Sequence, residues 1–128
     1  MRDLSEYYDK ISILGICLGM QCINEFFGGK TIKAPFPVHG KQSEVFIIGN
    51  SIIMNNLRLP IMVGRYHSLV ISELSSDLLI TATTSDNLPM VIEHRILPIY
   101  GIQFHPESFL TDQGSIMIKN FLQLLEQR

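Results

Sequence analysis

Apolar and polar positions change their spacing along the chain, and each change marks an element. Residues 11–16, ISILGI, are an almost unbroken apolar run of strand length, the pattern of a strand covered on both faces. From Leu18 the apolar residues Leu18, Cys22, Ile23, Phe26 and Phe27 recur at helical spacing, and Gly28-Gly29 supplies a carboxyl-terminal stop. The pattern predicts a strand, a sharp turn and a helix, preceded by a short helix or helical turn over 4–11.

Further along, β-rich pieces at 43–48, 62–74, 78–84 and 89–95 are separated by Asn, Pro, Gly and Ser clusters, which predicts hairpins or a small antiparallel region. IYGIQF at 99–104 reads as another buried strand. Ile118, Phe121, Leu122 and Leu125 mark the inner face of a closing helix. There is no repeat, low-complexity tract or linker, so the 128 residues are expected to form a single α/β domain.

Composition narrows the function only by exclusion. The formal net charge is −2 with no long charged run, so neither nucleic acid nor an anionic membrane is an expected partner. No apolar stretch approaches the roughly 20 residues that span a bilayer. The first ten residues, MRDLSEYYDK, are too polar and acidic for a secretory signal, which predicts the cytoplasm. Cys17 and Cys22 lie five apart on one helical segment, so their side chains point to different faces and no disulfide is expected. Two thiols without a nearby histidine pair lack zinc-ligand spacing, and no metal or cofactor is expected.

The chemistry lies in two short segments. Gly15, Cys17 and Gly19 have the spacing of a nucleophile elbow, where a side chain is thrust out between strand and helix and the crowded backbone favours glycine on both sides. The helix beginning at Leu18 would aim its free N–H groups at the sulfur, lowering the thiol pKa and offering Leu18 N–H as an oxyanion donor. In YGIQFHPES, His105 ends a buried strand, Pro106 stops the ladder, and Glu107 can return to the side of the imidazole and orient it. If the strands ending at Cys17 and His105 are parallel neighbours, both residues sit at carboxyl ends, where open α/β sheets place their sites.

GICLGMQ together with FHPES resembles the paired signature of class I glutamine amidotransferases. The resemblance continues through GGKTIKAP, VHGKQSEV, VGRYHSLV and GIQFHPESFLTDQG, about residues 11 to 122. The HGK and RYHSL segments are similar to the glutaminase components of anthranilate and aminodeoxychorismate synthases. The resemblance implies an open, mostly parallel sheet flanked by helices, a flavodoxin-like core with a small antiparallel region. It implies that Cys17 attacks the amide carbon of glutamine to form a thioester, that His105 transfers protons and that Glu107 orients His105. Leu18 N–H would stabilise the oxyanion, while Gln21 and the backbone at Ser68 and Leu69 would hold the amino-acid end of the substrate. Ammonia would pass to a chorismate-binding synthase subunit serving tryptophan or folate synthesis.

Two departures modify that picture. Met20 stands where anthranilate-type enzymes usually have histidine. The strand, helix, strand and PGPG-type loop with which the family begins, and which would supply a second oxyanion N–H, do not precede the elbow in this sequence, so an amino-terminally incomplete domain with impaired activity is expected. Two other readings remain open at this stage: a noncatalytic binding subunit, and a cysteine hydrolase acting on γ-glutamyl compounds. His39 and His67 read equally well as loop-ordering residues, His94 and Arg95 as solvated hairpin residues, and Cys22 as core packing.

Overall fold

The strand, turn and helix at the front of the chain fold as their spacing requires. In a computed structural model describing residues 11–126, strand β1 runs over Ile13–Ile16, and helix α1 follows over Leu18–Phe26. The helix expected over 4–11 lies, but for Ile11, outside the described residues. Gly28, at φ +100°, turns the chain out of α1. Four further strands are β2 (Lys30–Ile47), β3 (Ile61–Glu73), β4 (Leu78–Thr83) and β5 (Pro89–His94). Strand β6 (Ile99–Ile102) and helix α2 (Gly114–Glu126) close the chain.

Among the described residues the strands form one six-stranded sheet in the order β1-β6-β5-β4-β2-β3. The α/β class expected from the sequence is present, with a different balance of strand directions. Of the pairs in that sheet only β1 and β6 run in parallel, with Gly15 opposite Gly101; β6–β5, β5–β4, β4–β2 and β2–β3 are all antiparallel. For β4–β5 and β5–β6 the cause is connection length. A parallel neighbour needs a crossover of a dozen or more residues, and only short turns join β4 to β5 and β5 to β6. The antiparallel region is correspondingly larger than the sequence suggested. β2 begins at Lys30 instead of 43, and its register shifts between Lys33 and Val38, where Pro35 and Pro37 interrupt the ladder.

Two apolar clusters hold the layers together. Ile102, Phe104, Val63, Val91 and Met117 belong to one, and Met20, Ile23, Ile92 and Ile99 to the other. The buried stripe of α2 differs from the expected one: Met117 and Asn120 face inward, Phe121 and Leu124 pack against the core, and Leu122 and Leu125 are exposed. Asn120 hides the stripe because it is polar, yet its amide nitrogen is fully used, donating to Ile53 O and Asn55 O at 2.8 Å each. No helix among the described residues is long and apolar enough to cross a membrane.

At the β1–α1 turn the two glycines are not equivalent. A Cβ on Gly15 would lie 2.7 Å from the Gly19 carbonyl and from Ile23 Cδ1, whereas one on Gly19 would meet nothing within 4 Å. The crowding expected on both sides of Cys17 therefore falls on Gly15 alone. Gly15→Ala is expected to cost about 1–3 kcal/mol through overpacking, while Gly19→Ala, in a helix, is expected to be neutral or stabilising by up to about 1 kcal/mol. Urea denaturation of the two variants checks this contrast, and equal losses would contradict it.

Candidate functional site

Cys17 occupies the turn with φ 56° and ψ −107°, a conformation that side chains other than glycine rarely adopt and that surrounding structure must impose. Its backbone N–H donates to Ile102 O at 2.7 Å, tying the elbow to the end of β6. The thiol is partly exposed and donates to Tyr66 O at 3.6 Å, while Gln103 Nε2 donates to Sγ at 3.6 Å. Cys22, on α1, is also a free thiol.

The elbow was expected to lower the thiol pKa, and the balance runs the other way. Burial pushes the Cys17 thiol above its ordinary value, the hydrogen bonds from Leu18 N–H and Gln103 draw it back, and the Glu107 carboxylate pushes it further up. Desolvation therefore outweighs the hydrogen bonds from Leu18 N–H and Gln103.

His105 lies on the loop after β6, where its Nδ1 meets Glu107 Oε1 at 2.7 Å. A carboxylate only accepts, so Nδ1 carries the proton in that bond. The carboxylate is largely exposed, and the pair orients the ring more than it stabilises the fold. The loop is held firmly: His105 N–H donates to Gly64 O at 3.2 Å, and His105 O accepts from Thr111 Oγ1 at 2.7 Å. At the start of α2 a Cβ on Gly114 would stand 1.7 Å from Pro106 O, so only glycine lets the loop rest there.

Tyr66, on β3, stands between the two halves. Its carbonyl receives the thiol, its ring meets His105 edge-on at 5.5 Å, and its hydroxyl lies 3.2 Å from Ser108 Oγ. Cys17, Leu18, Gln21, Ser68 and Leu69 line one cleft of about 280 Å³ together with Tyr66 and His67. His105 and Glu107 line the adjoining one with Tyr66, Ser108 and Phe109. All seven residues singled out in the sequence thus gather around Tyr66, with the thiol bonded to its carbonyl and the imidazole bonded to Glu107.

Two of those residues are already committed to internal bonds. Gln21 is only 2% exposed, and its Nε2 donates to Leu69 O at 2.9 Å and to Gln103 Oε1 at 3.0 Å. Leu69 O accepts also from His67 Nδ1 at 3.1 Å. Arg65 and Gln103 were not singled out in the sequence, because both read as ordinary strand residues; only the three-dimensional contacts reveal them. His94 likewise does more than expected of a solvated residue, since its Nδ1 accepts from Ile96 N–H and Leu97 N–H and its ring meets Phe27 at 4.8 Å.

His67 is 5% exposed, and Arg65 Nε donates to its Nε2 at 3.0 Å. Burial, and then the Arg65 charge, hold its pKa below 6.5, while the bond to Leu69 O opposes them more weakly. The unfolded chain therefore binds the proton more readily, so this contribution to stability is complete above about pH 6.5 and is lost as the pH falls towards the folded-state value. Urea unfolding at pH 7 and at pH 5 is expected to show a larger acid loss for the unmodified chain than for His67→Gln. Equal losses would show that His67 is not held neutral.

Comparison with known proteins bears on the whole chain. The family model of class-I glutamine amidotransferase matches residues 1–124. Anthranilate synthase component 2 of Cyanophora paradoxa is 48% identical over 120 residues, covering 91% of this chain and 63% of its own length. Aminodeoxychorismate/anthranilate synthase component 2 of Bacillus subtilis is 40% identical over 125 residues, covering 96% and 64%. A solved structure from Thermoplasma acidophilum, provisionally assigned to GMP synthase, superposes with a TM-score of 0.89 at 29% identity, covering 98% of this chain and 62% of that one. The chain thus spans less than two thirds of the length of these relatives. With an elbow cysteine, a histidine–glutamate pair on the adjoining loop and a family match along nearly its whole length, this chain belongs to the class I glutamine amidotransferases.

Proposed function

We propose that this chain is the glutaminase part of an amidotransferase that hydrolyses glutamine and delivers ammonia to a chorismate-binding synthase subunit, of the anthranilate or aminodeoxychorismate type. The carrying observation is the convergence on Tyr66 of a thiol presented by a strained elbow and an imidazole whose Nδ1 is fixed 2.7 Å from Glu107. The names of the relatives at 40% and 48% identity support the choice of partner. The cytoplasm remains its proposed location.

The chemistry follows from the residues present. His105 Nε2 takes the thiol proton as Cys17 Sγ forms a bond to the side-chain amide carbon of glutamine. The carbonyl oxygen becomes an oxyanion, with Leu18 N–H at the start of α1 as a donor. The C–N bond then breaks, the leaving nitrogen takes the proton from His105 and departs as ammonia, and a γ-glutamyl thioester remains. His105 next draws a proton from water as it attacks the thioester, releasing glutamate and restoring the thiol. Glu107 keeps Nδ1 protonated throughout and steadies the transient imidazolium. The cleft lined by Leu18, Gln21, Ser68 and Leu69 receives the amino-acid end of glutamine, with exposed Ser68 at its surface and Gln21 and Leu69 shaping its wall.

A raised thiol pKa fits a cycle in which a base takes the thiol proton as the sulfur attacks. Ammonia release from glutamine, measured with the synthase partner present, is expected to fall by a factor on the order of 10³ or more in Cys17→Ala and in His105→Asn. Cys22→Ser should retain the unmodified rate. Hydrolysis surviving in Cys17→Ala would overturn the assignment.

A further inference from the structure

The groups around the thiol form a single chain of hydrogen bonds with one possible direction. Arg65 Nε donates to His67 Nε2 at 3.0 Å; His67 Nδ1 and Gln21 Nε2 both meet Leu69 O; Gln21 Nε2 also meets Gln103 Oε1, and Gln103 Nε2 meets Cys17 Sγ. A guanidinium only donates and a backbone carbonyl only accepts. Arg65 therefore makes His67 Nε2 an acceptor, which leaves the imidazole proton on Nδ1, pointing at Leu69 O. The Leu69 carbonyl in turn requires the nitrogen end of the Gln21 amide. The second N–H of Gln21 then requires the oxygen end of Gln103, so the nitrogen of Gln103 is turned to the sulfur.

Burial makes this order costly to break. Gln21, Arg65, His67 and Gln103 are 2%, 8%, 5% and 1% exposed. Flipping the Gln103 amide would set Oε1 against the sulfur and Nε2 against another N–H donor, leaving buried groups without partners. We propose that Gln103 is a positioning residue for Cys17, its amide N–H aimed at the sulfur by this chain so as to hold the side chain and stabilise its ionised form. Gln21 is then the residue that orients Gln103, a duty separate from any contact with substrate.

This inference rests on Cys17 being the nucleophile, and its test reads the thiol without glutamine. Titratable groups facing the sulfur are Glu107 and His105 on the loop after β6, and Tyr66 and His67 on β3; all stay unchanged in the test. In a Cys22→Ser background, the rate of Cys17 alkylation by iodoacetamide is followed against pH. Gln103→Met, similar in length but without a donor, is expected to move the midpoint upward by about one pH unit, a roughly tenfold loss of thiolate near neutrality. Gln21→Met, which removes the group that orients Gln103, is expected to produce a smaller upward shift. Midpoints unchanged in Gln103→Met, with near-ultraviolet circular dichroism as in the parent, would overturn the proposal; should that variant fail to fold, an unchanged midpoint in Gln21→Met would do the same. Shifted midpoints in a chain whose Cys17 never reacts with glutamine would uphold the positioning role while removing the glutaminase reading.

Discussion

The site depends on how closely the end of β1 approaches the first turn of α1. With no side chain at Gly15, the strand packs against the Gly19 backbone and Ile23, and the connecting residue is forced to φ 56° with its N–H bound to Ile102 O. That conformation is costly for a residue with a side chain, of order 1–3 kcal/mol, and the two packed elements impose it. Its result is that Cys17 projects from the carboxyl end of the sheet beside the free N–H groups of a helix. The parallel β1–β6 pairing then sets the loop carrying His105 at the same end.

Strand β3 joins the halves. Between Gly64 and Leu69 it receives the His105 loop at Gly64 O, the thiol at Tyr66 O and the Gln21 amide at Leu69 O. Three backbone carbonyls of one strand thus locate the His105 loop, the Cys17 thiol and the first helix relative to one another. Backbone groups are well suited to this because their polarity never changes. The glutamine amides between them take the only orientation that satisfies both ends.

Much of this was legible in the sequence where the determinants are local. Gly15 and Cys17 announce the elbow, although the crowding read into Gly19 is absent, and the spacing of His105 and Glu107 announces their pairing, because a few neighbouring residues decide each. Features decided by distant contacts were not legible. Burial reversed the expected pKa shift of Cys17, and the thiol's hydrogen-bond partners Tyr66 and Gln103 are far away in sequence. Gln21 was readable as a polar residue near Cys17, but its partners at Leu69 and Gln103 emerge only once β3 and β6 are in place. Asn120 on the buried stripe of α2 and the prolines inside β2 each broke a periodic pattern, and each is accommodated by tertiary bonding or a register shift.

The proposed chemistry stands on Cys17 Sγ as the atom that becomes acylated. The most direct measurement is acid quenching of the chain during exposure to glutamine in the presence of a chorismate-binding synthase partner, followed by peptide mass analysis. The expected result is a single γ-glutamyl unit on the peptide containing Cys17, absent from Cys17→Ser and accumulating when His105 is replaced only if acylation outpaces hydrolysis. Glutamine turnover with no adduct on Cys17, or turnover that persists in Cys17→Ser, would contradict it.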